Sequence, residues 1–212
     1  MGTAGQSLAW SLKNSDAAEW VADVADTASS IASNETVLEG IPIAGSILRA
    51  IKGASEVKDI LFQRKIIRIL KETGTTSQQD RDEFYEYLMR ENKIDEFGET
   101  VILLIDRVDH LEKATIIGRI MAANISRNID YDTAIRICYM INNCYIGDLR
   151  FLKEAEEPLP SDIQYTAGTL LTSGLVTPKG MDSGNYNRAD EPVFGPIYVK
   201  NKYSQALVKF GL

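Results

Sequence analysis

Residues 40–71, GIPIAGSILRAIKGASEVKDILFQRKIIRILK, constrain the fold more than any other stretch. They form the most apolar long segment, yet carry seven Lys/Arg against only Glu56 and Asp59. Pro42 fixes its own φ and disfavours helix at Ile41, so a helix is expected to begin around Ala44 to Ser46. Ile47, Ala50, Ile51, Ala54, Val57 and Leu61 then recur at helical spacing as one apolar stripe. Past Phe62 the pattern turns: Ile66, Ile69 and Leu70 project elsewhere, while Arg64, Lys65 and Arg68 fall near the continuation of the stripe. One straight helix with one buried face does not give this pattern. Either the helix bends near Phe62 or its halves meet different neighbours. Two roles fit: a core helix whose cations snorkel at its flanks, or a basic amphipathic helix. In the second, Phe62, Arg64, Lys65, Arg68 and Lys71 would contact an anionic membrane or an acidic partner.

The 212 residues suffice for one large domain or two small ones, and 44% hydrophobic with 25% charged residues is an ordinary soluble composition. A net charge of −7 argues against general coating of nucleic acid, though not against a local patch. Cys138 and Cys144 stand six apart with no CxxC spacing, which offers neither a zinc site nor a disulfide framework and fits a reducing compartment. The uncharged run at 40–48 is nine residues long, where a spanning helix needs about 20. The first twelve residues hold no Lys or Arg, so no signal peptide is expected. A cytoplasmic protein, with peripheral membrane contact through the basic segment, is the expected localisation.

Residues 7–33 predict a weakly amphipathic, acidic helix through Trp20, Val24, Ala28 and Ile31, capped at Ser15 or Asp16. Folding it back on the basic segment would satisfy both charges. Gly74 suits a left-handed cap, and Thr76 or Ser77 an N-cap for a helix bearing Phe84, Tyr85, Tyr87 and Leu88. Residues 72–112 hold twelve Asp/Glu against four Lys/Arg. Gly98 is expected to interrupt the helix ahead of the strongest helical pattern, Val101, Leu104, Ile105, Val108 and Leu111, continued by Ile116, Ile117, Ile120 and Met121. A further helix opens at Asp130 or Asp132, with Ile135, Cys138, Tyr139, Ile141, Tyr145 and Leu149 facing inward.

Composition shifts after Glu157, which sets the expected boundary between a helical body at 1–157 and a small domain at 158–212. In the latter, Ser161 or Asp162 caps a helix carrying Ile163, Tyr165, Ala167, Leu170 and Leu171. A Gly- and Asn-rich loop follows at 177–194, then a strand at 196–199 and a helix from Lys202 to Phe210. Leu170-Leu171-Thr172-Ser173-Gly174-Leu175-Val176 resembles the end of the recognition helix of a winged-helix domain entering its first wing strand. Ile197-Tyr198-Val199 resembles the second wing strand, and residues 203–211 the closing helix. The resemblance covers about a quarter of the chain and implies a mainly α protein: a helical bundle followed by a winged-helix-like domain. In the earlier part, Gly-Ile-Pro-Ile-Ala-Gly-Ser at 40–46 with Phe62-Gln63-Arg64-Lys65 resembles small helical bacterial proteins linked to phage defence and abortive infection. That resemblance implies no catalytic residues.

His110 is the only histidine, and DRVDH would place it with Asp106 on one helical face, without the further ligands a metal needs. Asp80-Arg81-Asp82-Glu83 reads as helix-start acids rather than an acid–base cluster. No Walker A loop, GxGxxG or GxSxG is present, and the two cysteines lie in an apolar helix. The expectation is therefore a protein without enzymatic activity, cofactor, metal or small-molecule substrate. Its partners would be another protein or a second copy, with an anionic membrane or nucleic acid behind. A winged helix points to DNA, and the residues available for it are Thr169, Thr172, Lys179, Arg188, Lys200 and Lys202. Residues 161–176, however, hold no Lys or Arg to meet phosphates, and protein interaction fits that charge pattern better.

Overall fold

The structure, a computed structural model, describes residues 4–14, 57–159, 164–182 and 195–212. The chain forms two compact units, Met1–Asp130 and Tyr131–Leu212. Among the described residues the first contains helices α1 (Ala4–Lys13), α2 (Val57–Thr73), α3 (Gln78–Arg90), α4 (Ile94–Arg107) and α5 (Leu111–Ile125). The second contains α6 (Tyr131–Asn142), α7 (Ile146–Glu154), α8 (Gln164–Thr172), strands β1 (Val176–Asp182) and β2 (Gly195–Lys200), and α9 (Lys202–Phe210). The molecule is thus mainly helical with one small antiparallel sheet near its C-terminal end. The composition break at Glu157 does not coincide with the unit boundary. α6 and α7 pack on α9 and so belong with the C-terminal elements.

In the first unit, α2 lies against α5 and runs in the same direction, with Ile66, Ile69 and Thr73 on its buried line. α2 is continuous from Val57 through Phe62 to Thr73, without a break at Phe62. The part of the expected helix before Val57, and the acidic segment with Trp20 to Ile31, lie outside the described residues. Gly118 allows the α2–α5 approach: a Cβ there would sit 3.0 Å from the Ile69 Cα. α1 ends at Lys13, ahead of Ser15 and Asp16, which lie outside the described residues, and buries Leu8, Ala9 and Leu12 on α4 and α3.

Gly98 does not interrupt its helix. It sits buried within α4, where a Cβ would stand 2.2 Å from the Gly5 Cα, so α1 and α4 cross backbone to backbone. Phe84 of α3 meets Phe97 of α4 edge to face, with centroids 5.4 Å apart. Ser77 caps α3 by accepting the Asp80 N–H at 3.1 Å. α2 ends without a left-handed Gly74. The hydroxyls of Thr73, Thr75 and Thr76 donate instead to carbonyls of its last turn, and Arg81, buried, donates to the Thr76 and Gly74 carbonyls.

In the second unit, α6 ends at Asn142 and its core line is Ala134, Ile137, Cys138 and Ile141. Tyr139 and Tyr145, expected inside, are exposed. α8 ends in a Schellman turn: Gly174, at φ +82°, donates to the Leu171 carbonyl, and Leu175 donates to that of Leu170. β1 begins at once and pairs antiparallel with β2 from Val176↔Lys200 to Asp182↔Gly195. Residues 177–182, expected as loop, are therefore strand. The register slips between Pro178 and Gly180, leaving Lys179 as the extra residue of a bulge. The Leu159 N–H donates to the Tyr198 carbonyl at 3.0 Å, which ties Leu159 to β2. Asn201 closes the unit. Its Oδ1 accepts the Tyr203 and Ser204 N–H groups to cap α9, while its Nδ2 donates to the Gly174 carbonyl at 2.7 Å.

Candidate functional site

α8 is held from three sides. Ala167 and Leu170 anchor it in the core of the second unit, Asn201 clamps the turn at its end, and the Thr169 hydroxyl reaches the Asp148 carboxylate at the start of α7. What remains outward is Tyr165, Gly168, Thr169 and Thr172, one face at helical spacing. Tyr165 is 94% exposed. Around Gly168 a Cβ would meet nothing within 4 Å. Leu171 is exposed, as is Met181 of β1. Beside Asp148 stands Tyr145, 68% exposed, its ring laid over Gly147. The outward face of α8 thus carries exposed Tyr165 and no Lys or Arg, and Thr169 ties it to Asp148 at the start of α7.

Of the residues proposed from sequence for nucleic acid, Thr169 and Thr172 lie on this face, their hydroxyls turned back to the Thr166 and Gly168 carbonyls. Lys179 is exposed on the bulge. Arg188 lies outside the described residues. Lys200 serves the fold: its Nζ donates to the Ala155 carbonyl at 2.7 Å, at the C-terminal end of α7, and its N–H to Glu157 at 2.6 Å. Lys202 sits 4.9 Å from the centroid of the Tyr203 ring, and Arg136 lies 5.6 Å from it. Residues 131–212 hold eight Lys/Arg against nine Asp/Glu, so the unit has no cationic excess.

The basic segment of the first unit is divided by the structure. Lys65 donates to the Ile105 and Asp106 carbonyls at 3.3 and 3.4 Å, closing the last turn of α4. Burial lowers its pKa, an effect opposed by Asp106 and Asp109. Phe62 and Arg64 are half-buried. Arg68 and Lys71 are exposed, Arg68 reaching Thr115 at 3.4 Å. Arg119 of α5, which the sequence reading passed over, lies beside them and pairs with Glu72 at 3.2 Å.

Several other titratable residues have structural partners. His110 does not share a helix face with Asp106, because α4 ends at Arg107; it caps α5, its Nδ1 accepting the Glu112 N–H at 3.2 Å. Lys113 is buried and pairs with Asp109 at 2.8 Å. Asp80 turns to Ser77, Asp82 to Gln78, and Glu83 to Gln79 and Arg127. Cys138 and Cys144 are both buried free thiols, and burial pushes Cys138 far above the ordinary thiol range. Among the described residues no group of three or more His, Cys, Asp and Glu is placed to hold a metal ion, and no helix is long and apolar enough to cross a membrane. No protein-family model matches the chain, and no curated protein or solved structure matches it either.

Proposed function

We propose that this is a non-enzymatic adaptor whose second unit is a winged-helix-like module that docks a protein partner on α8. The order of three helices, two antiparallel strands and a closing helix supports the module, with α8 in the recognition-helix position. The observation that carries the function is the outward face of α8. It offers Tyr165, Gly168, Thr169 and Thr172 and no cation. A DNA reader in that position needs Lys or Arg for phosphates, and affinity for duplex depends on the counterions they release. Protein interfaces instead favour exposed tyrosine, and the second unit holds seven of the nine tyrosines. The setting implied by the resemblance at residues 40–46 and 62–65 is bacterial phage defence.

The test is fluorescence anisotropy with labelled duplex DNA at moderate salt, beside photo-crosslinking from a benzophenone side chain placed at position 165. Weak DNA binding that Lys179→Glu/Lys202→Glu leaves unchanged, with protein adducts abolished by Thr172→Arg, is the expected result. A tight DNA complex that falls steeply with salt and is lost in the double mutant would make the protein a DNA-binding regulator instead.

A further inference from the structure

The ridge where α2 meets α5 is a second surface, on the other unit. Opposite the buried line Ile66, Ile69 and Thr73, α2 turns Leu61, Arg68 and Lys71 to solvent. α5 adds Arg119 alongside, paired with Glu72 at 3.2 Å. The ridge is cationic on a unit that holds 15 Lys/Arg against 21 Asp/Glu. We propose that it binds an acidic segment of a protein partner.

Three features favour that occupant. Arg68 is steadied by Thr115 and Arg119 by Glu72, so forming a complex orders less side chain than with free cations. A guanidinium presents a planar fork that matches a carboxylate in a bidentate pair. The geometry of the charge also matters. A narrow peptide can meet the ridge cations alone, whereas an anionic membrane plane also faces a unit with more Asp/Glu than Lys/Arg, and such charges repel within about 8 Å at physiological salt. Membrane attachment further calls for apolar insertion, and Leu61, 40% exposed, is the one large hydrophobic clearly exposed on the described part of α2. This surface does not involve α8, so it stands or falls independently of the docking role given to Tyr165.

The experiment measures anisotropy of a fluorescein-labelled oligoglutamate peptide against the full chain at low and physiological salt. Vesicles containing phosphatidylserine are run in parallel. Peptide binding that weakens with salt and drops at least tenfold in Arg68→Glu/Lys71→Glu is the expected result. The drop should recur in the milder Arg68→Gln/Lys71→Gln, with the circular dichroism melt unchanged, and Lys202→Glu/Lys209→Glu in the other unit should bind as the parent does. Three outcomes overturn the proposal: no peptide binding at low salt, an equal loss in the Lys202→Glu/Lys209→Glu control, or binding to vesicles without binding to peptide.

Discussion

Replacing Gly98 by alanine tests the packing of the first unit most sharply, because two effects of opposite sign compete. In an open helix, alanine for glycine gains about 1 kcal/mol in intrinsic helix propensity. At position 98 the new Cβ would fall 2.2 Å from both the Cα and the carbonyl oxygen of Gly5, more than an ångström inside contact distance. The obstacle is backbone, so no rotamer change relieves it and α1 must move away from α4. Overpacking of a well-filled core costs about 1–3 kcal/mol. The loss is bounded by complete release of α1, which would expose Leu8 and Leu12 at about 1.5–3 kcal/mol each. With the helix gain subtracted, overpacking leaves a net loss of up to about 2 kcal/mol and full release of α1 one of about 2–5 kcal/mol, so the expected effect is a destabilisation of no more than about 5 kcal/mol, read from urea unfolding followed by far-ultraviolet circular dichroism. Gly168→Ala is the internal control: nothing lies within 4 Å of its Cβ, so it should stabilise by about 0.5–1 kcal/mol. If Gly98→Ala stabilises as Gly168→Ala does, α1 does not cross α4 at Gly5 and the reasoning fails.

Asn201→Ala removes both the α9 cap and the clamp on the Gly174 carbonyl, for an expected loss of about 2 kcal/mol by thermal melting; Asn201→Asp keeps the cap acceptor and should recover roughly half of it. Equal losses in the two variants would mean that the cap contributes nothing. Cys138 is held as a neutral thiol by burial, so native protein should react with a maleimide at that site only as fast as it unfolds, and rapid labelling without denaturant would contradict the packing of α6.

Local chemistry alone set several features. The final helix runs from Lys202 to Phe210 where its periodicity and the preceding strand place it, and Ser77 caps α3 as a serine three residues before an acid should. The mainly helical character and the short strand at 196–199 were legible for the same reason: side-chain period and turn residues are properties of neighbours in sequence.

Tertiary structure decided the rest. Tyr139 and Tyr165 stand at spacings that suit a core, yet both face solvent, because Ala134, Ile137, Ala167 and Leu170 already occupy the inward arcs of their helices, while Tyr145 falls beyond the end of α6 and is exposed. A tyrosine's amphipathic ring fits either side of a helix, so its periodicity is ambiguous until a neighbouring element covers one face. Lys65 and Arg68 look alike in sequence, but the end of α4 lies within reach of Lys65, while Arg68 meets a threonine hydroxyl across the ridge. Arg119 joins that ridge from an element some fifty residues on, and Gly98 reads as a helix breaker until Gly5 is seen against it. Each is a contact between distant parts of the chain, set by how whole helices pack, a choice no local pattern encodes.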